Sequence, residues 1–262
     1  MIGLLKKVDR LLRGEFTREE ELSAGKIAVP ISTLLVAVLV LGAFYGAFMG
    51  LYSVLRPEAE GAIQLIATII KVPLLFLLTL LVTLPSLYVF SALSGSRLGF
   101  QSTLRLLLAA ITVNLALLAS LGPVVGFFTL STESYDFMII LNTMVFAISG
   151  LVGVMFLRRA LDKMFGTTPP TEAPPADPPQ DDEDDPDMRL IRPTPSPPNA
   201  PRSSSRIIFR AWIIVYGIVG AQMGWILRPF IGAPDHTFVI IRERESNFFE
   251  ALLGTIGRLF GS

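Results

Sequence analysis

A chain of 262 residues that is 52% hydrophobic and only 17% charged carries too much apolar surface for an ordinary soluble domain, in which about a quarter of residues are charged. Its 22 basic and 22 acidic residues cancel, but eight of the acids crowd between Glu172 and Asp187, so the zero net charge averages unlike zones and identifies no partner. With no cysteine and a single histidine, His236, the chain has no disulfide, no thiol nucleophile and too few donors for a zinc site.

Residues 1–26 form a charged N-terminal segment. Met1, Leu4, Leu5, Val8, Leu11 and Leu12 follow helical spacing, with Lys6, Lys7, Arg10 and Arg13 mostly on the other face. Such a helix can lie on an anionic leaflet or pack on its own protein. Thr17-x-x-Glu20 resembles a capping box opening a second short helix. The first apolar run, from about Ile27, is longer than a signal-peptide core and is expected to be an uncleaved anchor.

Four spans are expected in residues 27–165. A hydrocarbon core of about 30 Å needs roughly 20 apolar residues as helix. Span one, Val29 to Ser53, carries Gly42, Gly46 and Gly50 at four-residue spacing, a stripe that admits another helix closely. Span two is the clearest: 25 residues without a charge lie between Lys71 and Arg97. It is placed at Val72 to Leu93, with a helix start as early as Ala62. Lys71 is expected to snorkel to the interface. Pro73 and Pro85 interrupt this span and can kink it. Span three, Leu106 to Phe128, holds Asn114. Span four, Phe137 to Leu157, holds Asn142 and ends at Arg158, Arg159 and Lys163.

Residues 166–205 then hold twelve prolines and the acidic run Asp181 to Asp185, and end on the serine triplet 203–205. They cannot bury enough apolar surface to offset ordering entropy, so a disordered linker is expected, serving as a tether or as a docking segment. Span five, within 206–230, is the weakest, with 17 residues between Arg210 and Arg228. Gly217, Gly220 and Gly224 should pack closely on one face, Gln222 should bond a neighbouring helix, and Trp212 and Trp225 fit the two interfacial belts. In the tail, 231–262, Thr237 to Ile241 is apolar and β-prone, and Asn247-x-x-Glu250 opens an amphipathic helix too short to span. That helix should lie in the interface or cover the bundle.

Basic residues mark sidedness. With the N-terminus inside, the inner segments carry Arg97 and Arg105, then Arg158, Arg159 and Lys163, while the outer loop Ser131 to Asp136 has none. This puts the linker in the cytoplasm and, after five spans, the C-terminus outside. Arginines 228, 242, 244 and 258 strain that last step. They either pair with nearby acids or span five does not fully cross.

No nucleophile, base and orienter occur together, and no carboxylate falls inside a span, so no catalytic, cofactor or metal site is expected. A coupled transporter usually carries buried ionisable groups and internal repeats. Neither is evident here, although a passive channel needs no such groups.

Lys71-Val72-Pro73 through Pro85-Ser86-Leu87-Tyr88-Val89-Phe90, and Gln222-Met223-Gly224-Trp225 through Arg228-Pro229-Phe230-Ile231-Gly232 followed by Asn247-Phe248-Phe249, resemble an uncharacterised family of bacterial multi-span inner-membrane proteins. That family brings no known activity. The five-span plan, with an inside N-terminus and a proline-containing second span, is similar to the Yip-type domain, whose members act as scaffolds in membrane trafficking. The long linker before span five departs from it. Neither resemblance transfers a functional residue.

The expectation is an all-α polytopic transmembrane helix bundle of about five spans, with terminal amphipathic helices and a disordered linker, in the bacterial inner membrane. It would serve as a scaffold or accessory subunit without catalytic activity. Its partners would be the lipid bilayer and a protein or a second copy of itself, with no nucleic acid. The alternative is a component of a small-solute or lipid transporter or channel. Arg228, Pro229, Phe230, Arg242, Arg244 and Asn247 are the candidate contact site, which could equally serve to fold the tail onto the bundle. Asn114, Asn142 and Gln222 are the candidate intramembrane polar contacts. A continuous cavity lined by those three would favour transport.

Overall fold

A computed structural model of the protein describes residues 29–55, 61–93, 100–166, 202–227 and 248–260, together with Asp9 and Ile231. The amphipathic N-terminal helix and capping box expected in residues 1–26, the linker expected in 167–201 and the β-prone stretch expected at 237–241 lie outside these. The described residues are helical, in six elements: α1 Ile31–Val54, α2 Gly61–Leu93, α3 Phe100–Ser131, α4 Tyr135–Gly166, α5 Arg202–Ile226 and α6 Phe248–Phe260. The chain forms an all-helical polytopic bundle. The first four helices contain stretches long and apolar enough to cross a membrane. The apolar part of α5, Trp212–Ile226, is shorter.

The helices start and stop for local reasons. Pro30 fixes an extended residue just before α1, and its carbonyl accepts from the Thr33 and Leu34 amides. Ser134 accepts from the Phe137 amide and opens α4. α2 starts at Gly61, within a residue of the expected start, and runs through both Pro73 and Pro85 without interruption. In its apolar stretch, with no water to bind the backbone, helix persists even across a proline. α5 starts earlier than expected, at Arg202, so the serine triplet at the end of the expected linker is helical.

Packing runs α5–α2–α1–α3–α4–α6, each helix against the next. α1 and α2 approach closely along the expected stripe. A Cβ on Gly46 would stand 2.7 Å from the Thr68 carbonyl oxygen, and one on Gly42 would stand 3.0 Å from the Pro73 Cα. Phe48 of α1 fills the space over Gly122 and Gly126 of α3. α4 closes the row: the Tyr45 ring of α1 meets Phe146 edge-on, and Phe76 of α2 stacks on the same ring. α3 is the most buried span.

Outer faces stay apolar. Val36 and Phe44 on α1, Ile66 and Leu81 on α2, Phe127 and Leu130 on α3, and Leu151 and Met155 on α4 are all exposed. A belt of that extent is a liability in water and the ordinary surface of a membrane-embedded protein.

Candidate functional site: the polar face of the second span

The polar side chains of α2 are not scattered. Gln64, Thr68, Lys71, Thr79, Thr83 and Ser86 are separated by three, four or eight residues and share one helical face with Leu75. The first five are buried. The hydroxyls of this stripe are satisfied largely from within. Thr68 donates to the Gln64 carbonyl at 2.8 Å, Thr79 to the Leu75 carbonyl at 2.8 Å, and Thr83 to the Thr79 carbonyl at 2.7 Å. Ser86 donates to the Thr83 carbonyl at 2.7 Å.

Helix α5 covers the lower part of this face. The Trp212 indole donates to Ser86 Oγ at 2.9 Å, Gly220 stands over Thr79, and Gly224 stands over Leu75. Those three pairings make α5 antiparallel to α2. Trp212 therefore faces protein and not lipid: it is 1% exposed and stacks on Tyr216. A polar group inside the bundle gave the indole N–H a partner that the interface would otherwise supply. Gly217 has nothing within 4 Å of a Cβ, so only Gly220 and Gly224 of the expected triplet face a neighbour.

Lys71 stands ten residues, about 15 Å by helical rise, inside α2 and is 5% exposed, buried against protein. At 33 residues, about 50 Å, α2 is longer than a hydrocarbon core of about 30 Å, so a residue at that position remains within reach of the interface. Continued by one turn, the α2–α5 register brings the end of α5 level with Lys71. The last carbonyls of a helix lack intrahelical partners and carry partial negative charge, which complements a cation at that depth.

The three expected polar contacts do not converge. Asn142 accepts from Tyr45 Oη at 2.9 Å and donates to the Met138 carbonyl at 2.9 Å, joining α4 to α1. Asn114 faces Gly153, about 16 Å further along α4 by helical rise. Its Oδ1 is buried without a hydrogen-bond partner, as is Ser149 Oγ one turn away on α4. The interhelical bond expected of Asn114 is not formed. Gln222 is half-buried on α5. The continuous polar lining that would favour transport is not made by this trio. Asn142→Ala should therefore cost more stability than Asn114→Ala, by about 1 kcal/mol, the size of an interhelical hydrogen bond in a membrane protein. Thermal denaturation in mild detergent measures the difference. Equal losses would contradict the pairing of Tyr45 with Asn142.

Of the expected contact site, Arg228, Pro229, Phe230, Arg242, Arg244 and Asn247 lie outside the described residues. The flanking Leu227 and Ile231 are buried, and the Ile231 carbonyl accepts from Tyr135 Oη at 3.4 Å. Among the described residues no group of three His, Asp or Glu side chains could hold a metal. Ser86 and Lys71 are about 22 Å apart along one helix, too far for a nucleophile and its base.

Comparison with protein families, curated proteins and solved structures gives no match for this chain.

Proposed function

We propose that the protein is an integral membrane scaffold or accessory subunit without catalytic activity, which holds protein partners or lipids through its helix faces and termini. One observation carries this reading. Polar side chains of the bundle form bonds at different helix seams, Asn142 with Tyr45 and Ser86 with Trp212, and the threonines of α2 bond to their own helix. Polar groups spent on helix association build a fixed frame. A transported solute needs such groups to converge on one place.

The resemblance to Yip-type scaffolds and to the bacterial inner-membrane family supports the same reading. So does the basic bias of the inner loops, which favours an inner-membrane location with N-terminus and linker in the cytoplasm and the C-terminus outside. The antiparallel run of α5 on α2 supports a fifth crossing. A second reading, a transporter or channel component for a small solute or lipid, is favoured by Lys71, because an ionisable residue at that depth is the usual mark of a substrate or ion path.

Purification of the full chain in mild detergent tests the first reading. A stable partner that is lost when residues 166–205 are deleted is the expected result. Solute flux through liposomes holding this protein alone would overturn it in favour of the second.

A further inference from the structure

α6 leaves part of its apolar stripe uncovered. Phe249, Leu253 and Ile256 share one face and are 50%, 69% and 37% exposed. The side that meets the bundle carries Phe248, Ala251, Leu252 and Thr255, and Arg258, its side chain 62% exposed, reaches the bundle from the flank. Thr255 is buried. Arg258 donates to both carboxylate oxygens of Asp136, at 3.1 and 3.3 Å, and to Thr255 Oγ1 at 3.0 Å. Asp136 raises the Arg258 pKa, through the hydrogen bond first and its charge second. A surface helix in water buries its apolar stripe and exposes its charges. Here the apolar stripe is divided: Phe248 and Leu252 turn to the bundle, and Phe249, Leu253 and Ile256 stay exposed beside Glu250.

The surroundings decide what covers that side. Asp136 lies in the first turn of α4, at the rim where α3 ends. Phe127 and Leu130, in the last turns of α3, are 63% and 71% exposed at the same rim. The outward face of α6 thus continues the apolar exterior of the spans. At 13 residues, about 20 Å, α6 cannot cross the bilayer.

We propose that α6 lies along the membrane–water boundary with Phe249, Leu253 and Ile256 among lipid acyl chains, clamped to the rim of the bundle by Arg258 and Asp136. The Arg258–Asp136 pair, on the side away from those three residues, and Glu250, beside them, keep their charges at headgroup level, as polar faces of such helices do. This rests on the lipid-contact part of the function proposed above and names its surface.

The absence of cysteine makes the test direct. Phe249→Cys and Leu253→Cys each replace an exposed side chain and so leave the packing intact. Each variant carries one environment-sensitive fluorophore, and the full chain is reconstituted in phosphatidylcholine vesicles. Blue-shifted emission that loses most of its intensity to lipids spin-labelled near the headgroup, and little to aqueous iodide, is the expected result. Strong iodide quenching without lipid quenching would mean that the face is in water and would overturn the proposal. Blue-shifted emission that neither quencher reaches would mean that protein, such as a second copy, covers the face, and would overturn it equally. Co-purification of a partner does not depend on this face, so either reading can fail alone.

Discussion

Gly46→Val should separate α1 from α2 and deplete the folded protein. The clash is with backbone: the Thr68 carbonyl oxygen at 2.7 Å and the Ile69 Cα at 3.0 Å from the new Cβ. Flexible side chains can rotate away from an added methyl group, whereas main chain inside a continuous helix cannot. Relief requires the two helices to move apart, and that loosens Gly42 against Pro73 and Gly50 against Leu65 as well. Overpacking of this kind costs ~1–3 kcal/mol and more where nothing yields, a large part of a typical stability. Gly150→Val is the control, since a Cβ there meets nothing within 4 Å. Thermal denaturation and monodispersity in mild detergent compare the two. If Gly46→Val were as stable as Gly150→Val, the close approach of α1 and α2 would be wrong.

Lys71→Glu should be the other severe change. It replaces a cation with an anion about 15 Å inside an apolar helix. The end of α5 at the same level presents partial negative charge, which attracts an ammonium and repels a carboxylate. Lys71→Arg should keep most of the stability, because it preserves the charge. Loss of the folded bundle in Lys71→Glu with retention in Lys71→Arg is the expected pattern, read by yield of monodisperse protein and by melting. Similar behaviour of both variants would place Lys71 at the water interface after all. Lys71→Met separates the two functional readings. A scaffold should keep its partner, whereas a transporter built on this cation should lose flux.

Much of the architecture is legible in the sequence because lipid imposes a simple demand. Helix after helix must be apolar for about 20 residues, and the runs around Gly46, Leu80, Ile111 and Val145 satisfy it. The glycines at 42, 46 and 50 announced a close contact for an equally local reason, since only a missing side chain lets two backbones approach. The candidate site was visible in part. The spacing of Gln64, Thr68, Lys71, Thr79, Thr83 and Ser86 can be seen in the letters. Which helix covers that face does not show in the letters, because Trp212 of α5 lies 126 residues from Ser86.

What sequence alone determined, then, is the all-helical class, the order of the spans and the faces that pack through small residues. Tertiary structure decided three things: the burial of Lys71 against protein, the burial of Trp212 against Ser86 and the uncovered part of the apolar stripe of α6. Hydropathy sums a residue's preference for oil over water and does not say whether a neighbour will supply a hydrogen bond inside the oil. In a bundle that neighbour comes from a helix distant in sequence, 126 residues away for Trp212 and 122 for Arg258, so only the packed molecule shows which polar groups are satisfied and which faces are left for lipid.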